Sequence, residues 1–219
     1  MSDKRIHLIQ LAENQGIALA RNAGIEKAQG QFLAFLDSDD VWAKCKLEKQ
    51  VDFMIKNNVP LSYTATAFQD GNNTKYDFWR SVPLRTGFRD LLLCDVIPMS
   101  SVVVDLDIVK HYIMPNIKKE DWACLLDCLY IMGVEAQAIN EPLMIYRYSA
   151  GSDSSNKVKQ VSGIWNVYRR HLNYGIPKSS ICFLLFCINT FKKNRTRKYK
   201  ERINELVMKE YYHWDWASK

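Results

Sequence analysis

Three aspartates fall within four positions in FLAFLDSDDVW, residues 32–42: Asp37, Asp39 and Asp40, directly behind an apolar run and just before Trp42. In an extended segment Asp37 and Asp39 point the same way, and Asp40 adds a third carboxylate beside them. Hard oxygen ligands so grouped suit Mn2+ or Mg2+, and Mg2+ is commonly shared between one or two carboxylates and substrate phosphates. A cation there would stabilise a departing diphosphate. Asp also opens turns and caps helices, so a purely structural use stands beside the chemical one. A second acidic pair, Glu120 and Asp121, opens KKEDWACLLDCLYIMG. A carboxylate held near an acceptor hydroxyl and away from water can serve as a general base. Acids at a helix start equally complement the helix dipole.

Hydrophobic periodicity gives the strands and helices that carry these groups. RIHLIQL (5–11) alternates and is expected to be a strand; ENQGIALARNAGIEKAQG carries Ile17, Ala20, Gly24, Ile25 and Ala28 at helical spacing, with Gly30 as the stop. QFLAFL is a short apolar strand of the kind buried on both faces of a parallel sheet. Together these predict a βαβ unit with the acidic cluster at the carboxyl end of its second strand, where open α/β sheets bind ligands. A helix over about 43–57 should turn Leu47, Val51, Met54 and Ile55 inward, and LSYTATAF (61–68) should be a further strand with a polar turn, QDGNNTKYD, after it. GFRDLLLCD then predicts a short helix, SSVVVD a strand, the segment after Pro115 a helix ending at Gly133, and VEAQAIN and PLMIYRY two short strands. SAGSDSSN is a serine-rich loop, and the chain from 157 onward is expected to be helical.

The stretch ENQGIALARNAGIEKAQGQFLAFLDSDDVWAKCKLEKQ resembles the centre of the family 2 glycosyltransferases. The family pattern is Asn, Gly, Ala-Arg-Asn-x-Gly, Ala-x-Gly, an apolar strand and Asp-x-Asp-Asp-x-Trp. It is met here by Asn14, Gly16, Ala20, Arg21, Asn22, Gly24, Ala28, Gly30, Asp37, Asp39, Asp40 and Trp42. The resemblance implies an α/β chain of the GT-A, Rossmann-like fold and inverting transfer of a sugar from a nucleotide-diphosphate donor, such as a UDP-sugar. It implies Asp39 and Asp37 as metal ligands for Mn2+ or Mg2+. Asn14, Arg21, Asp37, Asp40 and Arg147 would serve the donor, Asp121 would be the base, and Glu120 would orient it. Pro-Leu-x-x-Tyr-Arg in NEPLMIYRYSAGSDSSN and the strand in IPMSSVVVD, with Ser100 and Ser101, resemble further family elements. The family's opening strand, its Pro-x-Tyr-Asn turn and its Asp-Asp-Gly-Ser sequence have no counterpart here, so the resemblance implies an N-terminally incomplete GT-A domain over 1–156. A helical extension over 157–219 would follow it. A non-catalytic remnant that kept the fold as a binding or scaffold protein is the alternative.

Composition narrows the remaining classes. Of 219 residues 47% are hydrophobic and 25% charged, the make-up of an ordinary globular chain. Six cysteines without a CxxC pair read as free thiols, which suits a reducing compartment. The net charge of +6 resides in KKNRTRKYKER (192–202), since the rest carries equal numbers of acids and bases. That segment follows the apolar run ICFLLFCINTF, too short to span a bilayer. An apolar helix face beside clustered Lys and Arg fits peripheral attachment to an anionic membrane surface through residues 181–202. A solvated basic helix is the plainer alternative. No nucleic-acid-binding motif accompanies the basic run. The expectation is a cytoplasmic enzyme at the inner face of the plasma membrane, acting on a glycan or lipid-linked acceptor.

Overall fold

The small and β-branched residues of LSYTATAFQD make Leu61–Asp70 (β3) the central strand, buried on both faces from Leu61 through Ala67. A computed structural model of the chain describes residues 3–70, 76–111, 113–148 and 157–195. Ahead of β3 lie helix α1 (Ile17–Lys27), β1 (Phe32–Ala34), β2 (Val41–Trp42) and α2 (Lys46–Asn57). After it come β4 (Tyr76–Arg80), β5 (Arg85–Thr86), α3 (Phe88–Leu93), a 3-10 turn (Met99–Ser101), β6 (Val103–Asp105) and α4 (Leu106–Lys110). Helix α5 (Glu120–Met132), β7 (Ala136–Tyr148), α6 (Lys157–Asn166), a π turn (Val167–His171) and α7 (Ile176–Arg195) complete the described chain. The strands form one sheet in the order β1-β6-β3-β7-β2, with β4 also paired to β3 and β5 to β7. Among the described residues only β3 and β7 run parallel; the other pairs are antiparallel.

The main core unites β3 with α3, α5 and the helices after residue 157. Trp122 of α5 is fully buried, and its indole N–H donates to the Leu91 carbonyl at 2.9 Å. Tyr168 and Phe186 meet its ring edge-on, with centroids 5.7 and 5.2 Å away. The Tyr168 hydroxyl donates to the Leu92 carbonyl at 2.6 Å, so α3, α5, the π turn and α7 converge on one indole. A smaller cluster of Met54, Val59 and Val103 seats α2 by the sheet.

Several expected elements differ. RIHLIQL forms no strand: Leu8 is 91% exposed and Ile6 76%, because no neighbouring strand offers it a ladder among the described residues. The predicted parallel βαβ pair is therefore absent, and among the described residues β1 is a half-buried edge strand pairing only with β6, not one buried on both faces. In α2 the inward set shifts. Leu47 and Ile55 are exposed, while Lys46, Gln50 and Met54 are buried. Gln50 earns that place by donating to the Ser62 hydroxyl (3.0 Å) and the Ser101 carbonyl (3.1 Å). VEAQAIN and PLMIYRY join into the single strand β7, whose Pro142 sits at the irregularity in its register with β3. Helix after 157 is interrupted by the π turn and by Asn173 in the left-handed region. The SAGSDSSN loop from 149, the tip of QDGNNTKYD and the basic segment beyond 195 lie outside the described residues.

Replacing Trp122 with Ala removes the largest fully buried side chain among the described residues and its hydrogen bond to the Leu91 carbonyl, which still accepts from the Cys94 N–H at 3.3 Å. The expected cost is about 3–5 kcal/mol, seen as a lower urea midpoint at unchanged m-value.

Candidate active site

Strand β1 ends at Ala34, the apolar run continues through Leu36, and the chain then turns at Asp37. Asp40 N–H donates to the Asp37 carbonyl at 3.0 Å, which closes a turn with Ser38 and Asp39 exposed at its tip. Ser100, buried in the 3-10 turn, pins this turn from behind. Its hydroxyl accepts from the Asp37 N–H at 3.1 Å, and its carbonyl accepts from the Trp42 indole N–H at 2.7 Å. Trp42 thus holds the turn to the sheet, and Lys46, fully buried, places its ammonium 4.2 Å from the Trp42 ring centroid. Burial pushes Lys46 down to about 7, and its Nζ has no hydrogen-bond partner among the described residues.

The three aspartates occupy different environments. Asp39 is exposed and carries no hydrogen bond or ion pair among the described residues. Asp37 is half-exposed and bound by Arg21. Asp40 is 8% exposed, and one of its carboxylate oxygens lacks a hydrogen-bond partner among the described residues. Burial pushes Asp40 up to about 6, reinforced by Asp39 and Asp37 and opposed by the Ser100 hydroxyl and the Arg147 backbone N–H.

Arg21 joins this turn to the second acidic pair. Its guanidinium donates to Asp37 Oδ1 at 2.6 Å and to Glu120 Oε1 at 3.1 Å, with the side chain only 13% exposed. Asn22, the next residue, grips the backbone of Met114 with two bonds of 2.9 Å, one in each direction. Helix α1 therefore fixes the segment that leads into α5. That helix starts after Lys119, whose backbone is left-handed at φ 68° and whose ammonium pairs with Asp95 Oδ2 at 3.0 Å. Asp121 accepts from the Trp122 N–H at 2.8 Å. Burial pushes Asp121 up to about 6, with the charges of Asp95 and Glu120 adding to the effect and Lys119 and the Trp122 N–H opposing it.

The structure thus gathers Arg21, Asp37, Glu120 and Asp121, with Asp39 and Asp40 on the adjoining turn. Arg147 reaches the same turn through its backbone, while its side chain donates to Gln69 Oε1 at 3.3 Å. Asn14 stands apart: it is exposed, and its side chain accepts from the Gly16 N–H at 3.1 Å, in a turn that needs Gly16 at φ +88°. Nothing in the sequence signals these roles for Asp95 and Lys119; for Ser100 the signal is the IPMSSVVVD motif.

No three His, Cys, Asp or Glu side chains converge as a ready-made metal cage among the described residues. The two acidic segments nevertheless set Asp37, Asp39, Asp40, Asp95, Glu120 and Asp121 against Arg21 and Lys119. Such an acidic excess, with Asp39 unengaged at the rim, fits a divalent cation completed by substrate phosphates rather than by protein.

A model of glycosyl transferase family 2 matches residues 2–99. The glycosyltransferase TuaG of Bacillus subtilis, named for teichuronic acid biosynthesis, is 38% identical over 192 residues, which cover 87% of this chain and 76% of TuaG. The chain belongs to glycosyl transferase family 2. WfgD of Escherichia coli, a UDP-Glc:α-D-GlcNAc-diphosphoundecaprenol β-1,3-glucosyltransferase, is 34% identical over 91% of this chain and 77% of its own. Among solved structures, S. aureus TarS 1-349 in complex with UDP-GlcNAc superposes with a TM-score of 0.60 at 15% identity, covering 92% of this chain. That likeness establishes the GT-A fold. The chain spans 60% of the TarS chain.

In this family 2 chain the raised Asp121 has a measurable consequence. Its folded form holds a proton that the unfolded chain releases near 3.8, so ionisation costs stability as pH rises from there through about 6. Asp121→Asn should therefore raise the melting temperature above that window. Below it the two proteins should melt alike, as read by thermal unfolding at both ends.

Proposed function

We propose that the chain transfers a sugar, with inversion, from a nucleotide-diphosphate donor to a glycan or lipid-linked glycan acceptor in surface polysaccharide synthesis. The observation that carries this reading is Arg21 tying the Asp37 turn to the start of α5, which sets an acidic rim beside a desolvated carboxylate. The relatives' names and the TarS complex with UDP-GlcNAc support the substrate classes. Asp39, with Asp37, would hold Mn2+ or Mg2+, and the cation would neutralise the leaving diphosphate. Asp121 takes the proton of the acceptor hydroxyl while the acceptor oxygen bonds to the anomeric carbon. The bond from that carbon to the diphosphate breaks, and its electron pair leaves with the diphosphate. Glu120, held by Arg21, orients the base. Asp40 and the Arg147 backbone close the donor side.

An anionic membrane surface is the second partner in this reading. Ile181, Leu184, Leu185, Ile188 and Phe191 stand exposed on α7 at helical spacing, and the basic segment 192–202 follows them in sequence. No described helix is long and apolar enough to cross a membrane. A binding role without turnover is favoured by one feature: RIHLIQL forms no strand, and β1 pairs with β6 alone among the described residues.

Calorimetric titration with a UDP-sugar separates these readings. Donor binding should require Mn2+ and fall at least ~10-fold in Asp39→Ala. Asp121→Asn should keep donor binding and lose about 10²–10⁴-fold in turnover. Mn2+-independent binding, or an unaltered Asp39→Ala, would sink the donor assignment, and donor binding without turnover would leave the scaffold role. For the surface, Leu184→Glu with Ile188→Glu should abolish co-sedimentation with anionic vesicles, and retained sedimentation would refute the α7 face.

A further inference from the structure

Beyond the acidic rim, the opposite side of Asp95 opens into a cavity of about 490 Å³ between the β3–β4 pair, the segment after α3 and the end of α7. This volume lies within the range of small-ligand sites. Phe68 and Tyr146 supply aromatic walls, in edge contact with ring centroids 5.8 Å apart. Two cations line the same space. Arg80 lies 5.0 Å above the Phe68 ring, and Lys193 donates from α7 to the Asp95 carbonyl. They are close enough to oppose one another: Lys193 is pushed down, first by burial, with Arg80 and Lys119 acting in the same direction and Asp95 against them. The Asp95 carboxylate, the acid in this wall, is bound to Lys119. A bound anion would bring its negative charge between Arg80 and Lys193 in a wall whose own acid, Asp95, is held by Lys119.

We propose that this cavity receives the diphosphate of a sugar 1-diphosphate ester, with Arg80 and Lys193 on the phosphates and Phe68 and Tyr146 against the apolar faces of the ligand. The inference rests on the glycosyltransferase reading and gives its acceptor a place. Asp95 lines the cavity, pairs with Lys119 and is near enough for its charge to act on Asp121, so an acceptor anchored here would extend toward the base. The donor is also a diphosphate, but the two sites have opposite charge. The Asp37–Asp40 turn needs a metal to accept phosphate, whereas the Arg80–Lys193 wall does not.

The test uses the full chain in EDTA and two probes, N-acetylglucosamine 1-diphosphate bearing a short alkyl ester and the uncharged alkyl glycoside of the same sugar. The diphosphate ester should bind at least tenfold more tightly than the glycoside. Arg80→Gln and Lys193→Gln should each remove tenfold or more of the ester affinity and leave glycoside binding unchanged. Lys193 also braces the Asp95 backbone, so Arg80→Gln, checked for native circular dichroism, is the deciding variant. Unchanged ester affinity in Arg80→Gln overturns the proposal. Displacement of the ester by UDP in EDTA also overturns it, since the cavity would then take the nucleotide. The two readings fail separately: ester binding with no Mn2+-dependent donor binding would remove the proposed transfer, and the reverse would remove only the cavity's role.

Discussion

The site depends on one guanidinium. Arg21 sits on the helix that precedes the acidic turn, yet it reaches Asp37, 16 residues away, and Glu120, 99 residues away. Without a shared cation the two acidic clusters would repel across a poorly solvated gap. Arginine suits this position because its planar fork serves two carboxylates at once and keeps its charge when buried. Asn22, its neighbour, makes the complementary backbone link to Met114, so a single helix turn sets both the charge and the distance.

Around that bridge the fold tolerates buried polar groups that an optimised core would not hold. Asp40 and Asp121 are both displaced upward by burial and like charge, and Lys46 is displaced downward. Asp40 Oδ1 and Lys46 Nζ lack hydrogen-bond partners among the described residues. Such penalties concentrate where a protein needs a particular protonation state or an empty coordination position. The stability that offsets them comes from the far side of α5, where Trp122 gathers Tyr168 and Phe186. One helix thus presents its charged start to the site and its indole to the core.

Helix α7 links the functional surfaces. Its inner face buries Cys182 and Phe186 and brings Lys193 to the cavity, while its outer face leaves a row of large apolar side chains in water. A helix apolar on both sides is uncommon at a protein surface. The second face has no use in the packing described. An acceptor held at Lys193 and anchored in a bilayer would give that face an occupant.

The local pattern was legible in the residues. Helix, acidic turn and tryptophan appear in FLAFLDSDDVW and its approach, because turn chemistry and short-range periodicity are properties of adjacent residues. Family membership was legible for the same reason. Pairing was not. Alternation in RIHLIQL predicts a strand, but a strand exists only when a neighbour completes its hydrogen bonds, and none does so among the described residues. Leu47 and Ile55 have the spacing of an inward face, yet Gln50 and Lys46 occupy it, because Ser62, Ser101 and Trp42 wait there from other parts of the chain. Residue type and spacing were enough to name the groups able to bind metal or take a proton. Which of them share a cation, which lose their water and which remain open emerged with the folded chain, since charge and solvation depend on neighbours brought from far along the sequence.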